Sequence, residues 1–183
     1  MSSTPRVAYP GSFDPPTVAH LAIARAAHAH LGGARVDWIL SRVALGKEQV
    51  AGPSLDARVE VLRSAAIGHS WLSVVVTDAR FIADVAAGYD AVVVGADKWR
   101  QVIDPTWYTD RDECAEMRAR LARVLVVPRA DDDLDDVREG IELLIVGEEL
   151  RHVSSTAART GEPALMLPAA VEFAGRTGHW SGH

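Results

Sequence analysis

The stretch that decides the fold reads Arg6-Val-Ala-Tyr-Pro-Gly-Ser-Phe-Asp-Pro-Pro-Thr-Val-Ala-His20. It begins with a short apolar run, Arg6–Tyr9, which Pro10 and Gly11 interrupt, and this pattern is typical of a buried strand. After the loop, residues 21–31 are rich in alanine and leucine, with apolar positions at helical spacing, so they predict a helix. A strand that leads through a short loop into a helix is the first half of a β-α-β unit.

The same alternation continues along the chain. Five further strands are predicted, at Val36–Leu40, Trp71–Thr77, Asp90–Val94, Val124–Val127 and Ile141–Val146. Helices are predicted at about Ser54–Ile67, Phe81–Ala87 and Glu113–Ala122, with two short ones beginning near Ser154 and Pro168. Continuous Val/Leu/Ile strands alternating with helices indicate an α/β fold, a Rossmann-like, doubly wound parallel sheet covered on both faces. A length of 183 residues predicts a single domain, 1–183, with a C-terminal helical extension.

Composition excludes several classes of protein. The chain has 19 basic and 25 acidic residues, a net charge of −6, which disfavours nucleic-acid partners. The single cysteine, Cys114, excludes an internal disulfide and a cysteine-based zinc site. We interpret the acidic run Asp131–Asp136 as a solvated loop, and we predict no protein-held metal site. There is neither an apolar run of membrane-spanning length nor a signal-peptide pattern, so we expect a cytoplasmic protein without a membrane partner.

The loop after the first strand is the best candidate for chemistry, because open α/β sheets bind ligands at the carboxyl ends of their strands. It contains neither the dinucleotide glycine fingerprint nor the phosphate-loop motif. Thr17 and His20 are three residues apart and therefore share one face of the first helical turn. Together with the free backbone N–H groups there, they are suited to an anion. Taken singly, each has a structural alternative, a helix cap for Thr17 and a hydrogen-bonded core histidine for His20.

The first motif, Gly11-Ser-Phe-Asp-Pro-Pro-Thr-Val-Ala-His20, resembles the nucleotidylyltransferase signature G-x-F-D-P followed by [HT]-x-G-H. A second motif of that superfamily, I-S-S-T-x-x-[RK], is matched by Val153-Ser-Ser-Thr-Ala-Ala-Arg159 near the start of a late helix. The superfamily includes nicotinate and nicotinamide mononucleotide adenylyltransferases, phosphopantetheine adenylyltransferase and small cytidylyltransferases. One position departs from the signature. Ala19 replaces its glycine, and the added methyl group would occupy space in which the family lets a nucleotide approach the backbone.

The resemblance implies an enzyme that transfers a nucleotidyl group to a small phosphorylated acceptor and releases pyrophosphate. It favours ATP as the donor, with CTP as the alternative, and it implies a need for Mg²⁺. Thr17 and His20 would act at the α-phosphate, Arg159 would hold the pyrophosphate, and Lys47 would bridge the donor and acceptor phosphates. The remaining implied nucleotide contacts are Gly11, Ser12, Phe13, Gly95, Asp97, Ser154, Ser155 and Thr156. Arg58 and Trp107, with Lys47, would contact the acceptor.

The sequence gives conflicting indications about the acceptor. Gly95-Ala-Asp97, Trp107 and the closing segments Leu167–Phe173 and Gly178-His-Trp180 resemble the pyridine mononucleotide adenylyltransferases. In contrast, Ala79–Asp84 stands where those enzymes have a Y-T-x-D-T-L helix, and Ala44–Glu48 replaces the proline-rich and histidine-rich stretch before their lysine. We therefore expect weak turnover of nicotinate and nicotinamide mononucleotides and a different phosphorylated acceptor.

Two alternative functions remain open at this point. One is a phosphopantetheine-type or cytidylyl-type transferase. The other is a non-catalytic nucleotide-binding sensor, which Ala19 motivates. The sequence also leaves open whether the protein forms homo-oligomers.

Overall fold

A computed structural model describes residues 3–43, 52–129 and 140–181. Six strands form one sheet, and their bounds are β1 Arg6–Pro10, β2 Arg35–Ser41, β3 Leu72–Thr77, β4 Ala91–Gly95, β5 Val124–Val127 and β6 Glu142–Leu143. They lie in the order β3-β2-β1-β4-β5-β6, and each neighbouring pair is parallel. The predicted doubly wound α/β fold is therefore confirmed.

The helices are α1 Val18–His30, α2 Leu55–Ala66, α3 Ile82–Val85, α4 Ala96–Ile103, α5 Arg111–Ala119, α6 Ser155–Arg159 and α7 Pro168–Thr177. Short 3-10 turns cover Pro105–Trp107, Glu148–Leu150 and Pro163–Leu165. Helix α4 was not expected from the sequence. It directly follows β4 without a linker and buries Ala96, Trp99 and Val102 along one side.

Side chains from alternate positions of each strand form two apolar layers, one on each face of the sheet. Val7 and Val36 belong to the layer against α1 and α2, whereas Ala8 and Ile39 of the same two strands belong to the other layer with Trp99. Because both faces are covered, the strands read as continuous apolar runs in the sequence.

A third apolar cluster attaches the C-terminal helices to α2. Val61 on α2 packs with Ala158 on α6, Ala170 on α7 and Trp180 beyond α7. This cluster holds the end of the chain close to the loop that follows β1, since Leu167 N–H donates to the Pro16 carbonyl at 3.0 Å.

The buried carboxylate of Asp37 ties the amino ends of four strands together. Its oxygens accept hydrogen bonds from Arg6 Nη2 and Tyr89 Oη, both at 2.8 Å, and from the Ser73 hydroxyl. Asp37 is only 5% exposed, so this network anchors the edge of the sheet opposite to the carboxyl ends of the strands.

Strand β6 is shorter than the sequence predicts. Glu142 and Leu143 form the ladder with β5, Leu144 N–H still donates to the Val126 carbonyl, and Ile145 is 64% exposed. The pairing stops there because β5 ends at Val127, and the Pro128 that follows has no backbone N–H to donate.

Candidate active site

Chain reversal places a crevice beside β1. The chain proceeds from β1 to β2 and β3 on one side, and then returns to β4 and β5 on the other side. The carboxyl ends of β1 and β4 therefore border a topological switch point, where folds of this kind bind ligands. Both the first motif and α4 begin at this edge.

The first motif adopts a tight loop around the ring of Phe13. Phe13 is fully buried with a positive φ of 46°, and its ring lies 5.0 Å from the His20 ring between centroids. A Cβ atom on Gly11 would approach that ring to 2.9 Å, so packing inside the loop requires glycine there. The Phe13 side chain therefore belongs to the core, and the predicted nucleotide contact of this residue stays a prediction. The exposed Ser12 remains available at the surface of the loop.

Thr17 and His20 are brought together at the start of α1. The Thr17 backbone N–H donates to His20 Nδ1 at 2.9 Å, and the Thr17 hydroxyl lies 2.8 Å from the same nitrogen. Thr17 is completely buried, and in the structure it orients the histidine. Its predicted contact with the α-phosphate stays a prediction.

This arrangement determines which nitrogen of His20 carries the proton. A nitrogen that accepts an N–H bond needs a free lone pair, so the neutral ring holds its hydrogen on Nε2. Burial lowers the pKa of His20 to about 4, which keeps the ring neutral near pH 7. His20 can thus offer one fixed N–H donor through Nε2.

The second motif docks directly onto the first. Ser154 caps α6, and its hydroxyl accepts a hydrogen bond from Ala157 N–H at 3.0 Å. The Ser155 hydroxyl donates to the Pro15 carbonyl at 2.8 Å. These two hydroxyls therefore take part in hydrogen bonds within the protein, and the predicted contacts of Ser154 and Ser155 with phosphate stay predictions. Thr156 is the most exposed member of this serine-threonine group.

Arg159 joins the two motifs through Asp14. Its Nη1 donates to the Asp14 carbonyl and lies 3.6 Å from the Asp14 carboxylate, while Nη2 lies 3.3 Å from the Thr156 hydroxyl. The Arg159 side chain is 39% exposed, so part of the guanidinium remains open to a ligand. The Asp14 carboxylate also accepts a hydrogen bond from Trp180 Nε1 at 2.6 Å. Asp14 lies in the first motif and Trp180 in the closing segment Gly178-His-Trp180. Their contact joins residues 166 positions apart, and no local pattern in the sequence indicates it.

A cavity of about 220 Å³ adjoins the first motif at the carboxyl ends of β1 and β2. Gly11 and Ser12 form part of its wall, and Arg58 reaches the same wall from α2. Arg58 Nη1 donates to the Ser12 carbonyl at 2.7 Å, which ties the guanidinium to the loop. The cavity and the two motifs are therefore neighbouring parts of one region.

Another part of the cavity lining is aromatic. Trp107 is 39% exposed and lines it together with Phe81 and Tyr108, whose rings stack at 5.5 Å. Phe81 and its neighbour Arg80 belong to the segment that replaces the Y-T-x-D-T-L helix, and sequence reasoning did not select them. Lys98 and Gln101 of α4 add polar groups to this end of the cavity.

Gly95 and Asp97 lie at the start of α4. Within the described part of the chain, a Cβ atom on Gly95 would meet no other side chain or backbone within 4 Å, so the described residues leave space for a ligand there. The Asp97 carboxylate lies 3.1 Å from Arg129 Nη1, beyond the end of β5. Lys47 falls outside the described residues, and its predicted role stays a prediction.

Ala19 is nearly enclosed by protein. The residue is only 5% exposed, so its methyl group has little surface with which to obstruct a nucleotide.

Among the described residues, no group of three or more His, Cys, Asp or Glu side chains is arranged to hold a metal ion. In the same part of the chain, no helix has the length and apolar character needed to cross a membrane.

Comparison with known proteins agrees with this arrangement. A family model described as cytidylyltransferase-like matches residues 8–161. A search of curated proteins finds no match. Among solved structures, Plasmodium falciparum nicotinic acid mononucleotide adenylyltransferase complexed with NaAD superposes with a TM-score of 0.73 at 15% identity, over 97% of this chain and 98% of that one. The same Plasmodium falciparum enzyme complexed with APC gives 0.72 at 13% identity, with the same coverage. At these identities the structural likeness establishes the fold.

Proposed function

The chain belongs to the cytidylyltransferase-like family and is a nucleotidyltransferase, and from that premise we propose that it transfers an adenylyl group from ATP to a small phosphorylated acceptor. One observation carries the proposal. The two motifs interlock through Ser155, Asp14 and Arg159, beside a cavity that opens at the switch point. A donor site and an acceptor site thus share the Gly11–Ser12 loop as their common wall.

The reaction is an in-line displacement at the α-phosphorus of ATP. An oxygen of the acceptor phosphate forms the new P–O bond, and the bond to the β-phosphate oxygen breaks, so that pyrophosphate leaves. No covalent intermediate on the protein is needed, and the rate comes from positioning and charge stabilisation.

His20 is the group that we assign to the α-phosphate. Its Nε2–H donor is fixed in direction because Nδ1 is held by Thr17. A preoriented neutral donor strengthens its hydrogen bond as negative charge develops in the transition state. Arg159 would hold the leaving pyrophosphate, since a guanidinium binds phosphate oxygens in a bidentate manner.

Mg²⁺ would enter with the triphosphate. The described residues present no carboxylate cluster for it, so its oxygen ligands would come from phosphates and water. This ion prefers such a shell, and its charge would neutralise part of the triphosphate.

The cavity suits a phosphorylated acceptor that carries a flat ring. Arg58 contributes a guanidinium to the cavity lining beside the first motif, and Trp107 contributes a partly exposed ring to the aromatic part of the lining. Nicotinic acid mononucleotide is the first acceptor to test, because the matched Plasmodium falciparum enzyme is a nicotinic acid mononucleotide adenylyltransferase. Because Arg80 and Phe81 shape the aromatic part of the lining in place of the Y-T-x-D-T-L helix, we propose that the natural acceptor is a different phosphate ester.

We place this reaction in the cytoplasm, where ATP is supplied and where a free, buried thiol such as Cys114 is ordinary. The alternative of a non-catalytic sensor rests on Ala19. The enclosed position of that residue weakens the steric argument for it.

Pyrophosphate release tests the proposal. Purified protein with ATP and Mg²⁺ should release pyrophosphate only when a phosphate ester is added from a panel of mononucleotides, phosphopantetheine and sugar phosphates. CTP in place of ATP tests the donor. ATP binding without pyrophosphate release for any acceptor would support the sensor instead.

A further inference from the structure

Trp180 occupies a strained position next to the first motif. Its φ of 61° lies in the left-handed region, which bulky residues rarely adopt. The residue is nonetheless 8% exposed, and its ring packs 5.2 Å from that of Phe173. Local strain of this kind persists only where surrounding contacts enforce it. Here those contacts direct the indole N–H into the loop that carries the donor site.

The Asp14 carboxylate, which accepts a hydrogen bond from this N–H, is buried. It lies next to two groups, the neutral indole of Trp180 and the cationic guanidinium of Arg159. Trp180 Nε1 donates to Oδ1 at 2.6 Å, whereas Arg159 Nη1 remains 3.6 Å from Oδ2. Strong bonds between a guanidinium and a carboxylate are about 2.7–2.9 Å long. The short contact is therefore made by the neutral indole, and the ion pair with Arg159 is left loose.

A loose ion pair matters because Arg159 must change partners when the triphosphate binds. A carboxylate that formed a close, bidentate pair with the guanidinium would compete with phosphate for the same donors. It would also present its negative charge directly to the incoming triphosphate. The orientation of Asp14 thus controls how strongly Arg159 can bind phosphate.

We propose that Trp180 is a positioning residue, whose indole N–H holds the Asp14 carboxylate so that Arg159 stays available to the β- and γ-phosphates of ATP. The inference rests on the proposed function, because it assigns Arg159 to the triphosphate. Without the indole donor, the carboxylate turns toward Arg159 and closes the gap between them. Trp180 therefore acts on the ligand through two other residues, without touching it.

The test is a comparison of Trp180→Phe in two backgrounds, the wild-type chain and Asp14→Asn. Binding of α,β-methylene ATP with Mg²⁺, which resists transfer at the α-phosphorus, is measured by titration calorimetry. Trp180→Phe should weaken this binding by about tenfold in the wild-type background. In the Asp14→Asn background, where no carboxylate can compete, the same substitution should cost less than about threefold. AMP, which lacks the β- and γ-phosphates, should bind alike in all of these proteins.

Trp71→Phe is the matched control. Trp71 directly precedes the amino end of the edge strand β3, away from the carboxyl ends that border the site, and it stacks on His28, so the same chemical change should leave analogue binding and turnover unaltered. If Trp180→Phe does not fold, site-specific benzothienylalanine at position 180 retains the bicyclic shape and removes only the N–H, and the same binding differences are expected.

The outcomes separate the two proposals. An equal loss of affinity in both backgrounds would show that the indole acts by packing alone, and unchanged affinity in the wild-type background would show that it has no role in binding. Either result overturns the positioning role while leaving the transferase proposal intact. Failure of the unmodified protein to bind the analogue would overturn the proposed function itself, and the positioning role with it.

Discussion

Substitution of His20 by asparagine should separate its catalytic role from its structural one. The Asn side-chain oxygen can accept the hydrogen bond from Thr17 N–H that His20 Nδ1 accepts at 2.9 Å. Asparagine is too short to replace the Nε2–H donor at the α-phosphate. The variant therefore loses the proposed transition-state contact and keeps the connection at the start of α1.

The expected magnitude follows from these two contacts. Loss of one preoriented donor to developing charge lowers kcat by about 10²–10³-fold. ATP affinity should change by less than about tenfold, because the contact strengthens mainly in the transition state. His20→Ala should lose as much activity, and it should also lose about 1–3 kcal/mol of stability, since the fully buried Thr17 is left with unsatisfied donors.

The assay is steady-state pyrophosphate release at saturating ATP and acceptor, with ATP affinity measured separately and stability taken from thermal unfolding. His20→Gln is a useful third variant, because its longer amide can place an N–H near the position of Nε2 and should recover part of the rate. Wild-type turnover in His20→Asn would remove His20 from the active site. A loss of affinity as large as the loss of kcat would mean that His20 binds the ground state.

Four further predictions address the other parts of the account. Arg159→Lys should weaken triphosphate binding by about 1–3 kcal/mol and leave AMP binding unchanged, because lysine keeps the charge but loses the planar fork; equal losses for ATP and AMP in calorimetry would assign Arg159 a structural role. Burial holds the pKa of His20 at about 4, below its ordinary 6.5, so the unfolded chain binds the proton more tightly than the folded chain. The resulting contribution to stability is complete above pH 6.5 and should be lost as the pH falls toward 4. Thermal melts of His20→Asn should lack this pH dependence, and the same pH dependence in both proteins would contradict the prediction. Burial raises the pKa of Asp37, but hydrogen bonds from Ser73, Tyr89 and Arg6 outweigh it and leave that pKa lowered, so Asp37→Asn should destabilise the fold by about 2–4 kcal/mol without changing kcat of the folded protein, as denaturant unfolding and activity per folded molecule would show. For nicotinate mononucleotide, kcat/KM should fall below about 10⁴ M⁻¹s⁻¹, and a higher value would identify it as a natural acceptor.

The sequence predicted the sheet well because its strands are buried on both faces. Runs such as Val124–Val127 stay within their predicted bounds, since every side chain faces an apolar layer. Helix α4 was not predicted, because a glycine directly after a strand is typical of a turn, although Gly95 serves as the N-cap of this helix. The sixth strand was predicted too long because apolar periodicity alone does not show where the neighbouring strand ends.

The positions of the two motifs were predictable from the sequence, whereas the hydrogen bonds of their side chains were not. Both motifs lie where the resemblance placed them, one between β1 and α1 and the other at the start of α6, because their positions depend on the order of helices and strands along the chain. The side chains within them compete for partners in ways that only three-dimensional contacts reveal. Thr17 and Ser155 offer hydroxyls that would suit phosphate, but neighbouring groups of the protein already use them. The contact between Asp14 and Trp180 links distant parts of the chain and has no local signature.

Transfer of the α-phosphate tests the central claim most directly. ATP labelled at the α-phosphate and, in a parallel reaction, at the γ-phosphate is incubated with the protein, Mg²⁺ and the most active acceptor of the panel, and the products are separated by chromatography. The account predicts that the α-label appears in the acceptor product and the γ-label in pyrophosphate, in equal amounts. Release of the γ-label as inorganic phosphate, or its transfer to the acceptor, would contradict nucleotidyl transfer by this site.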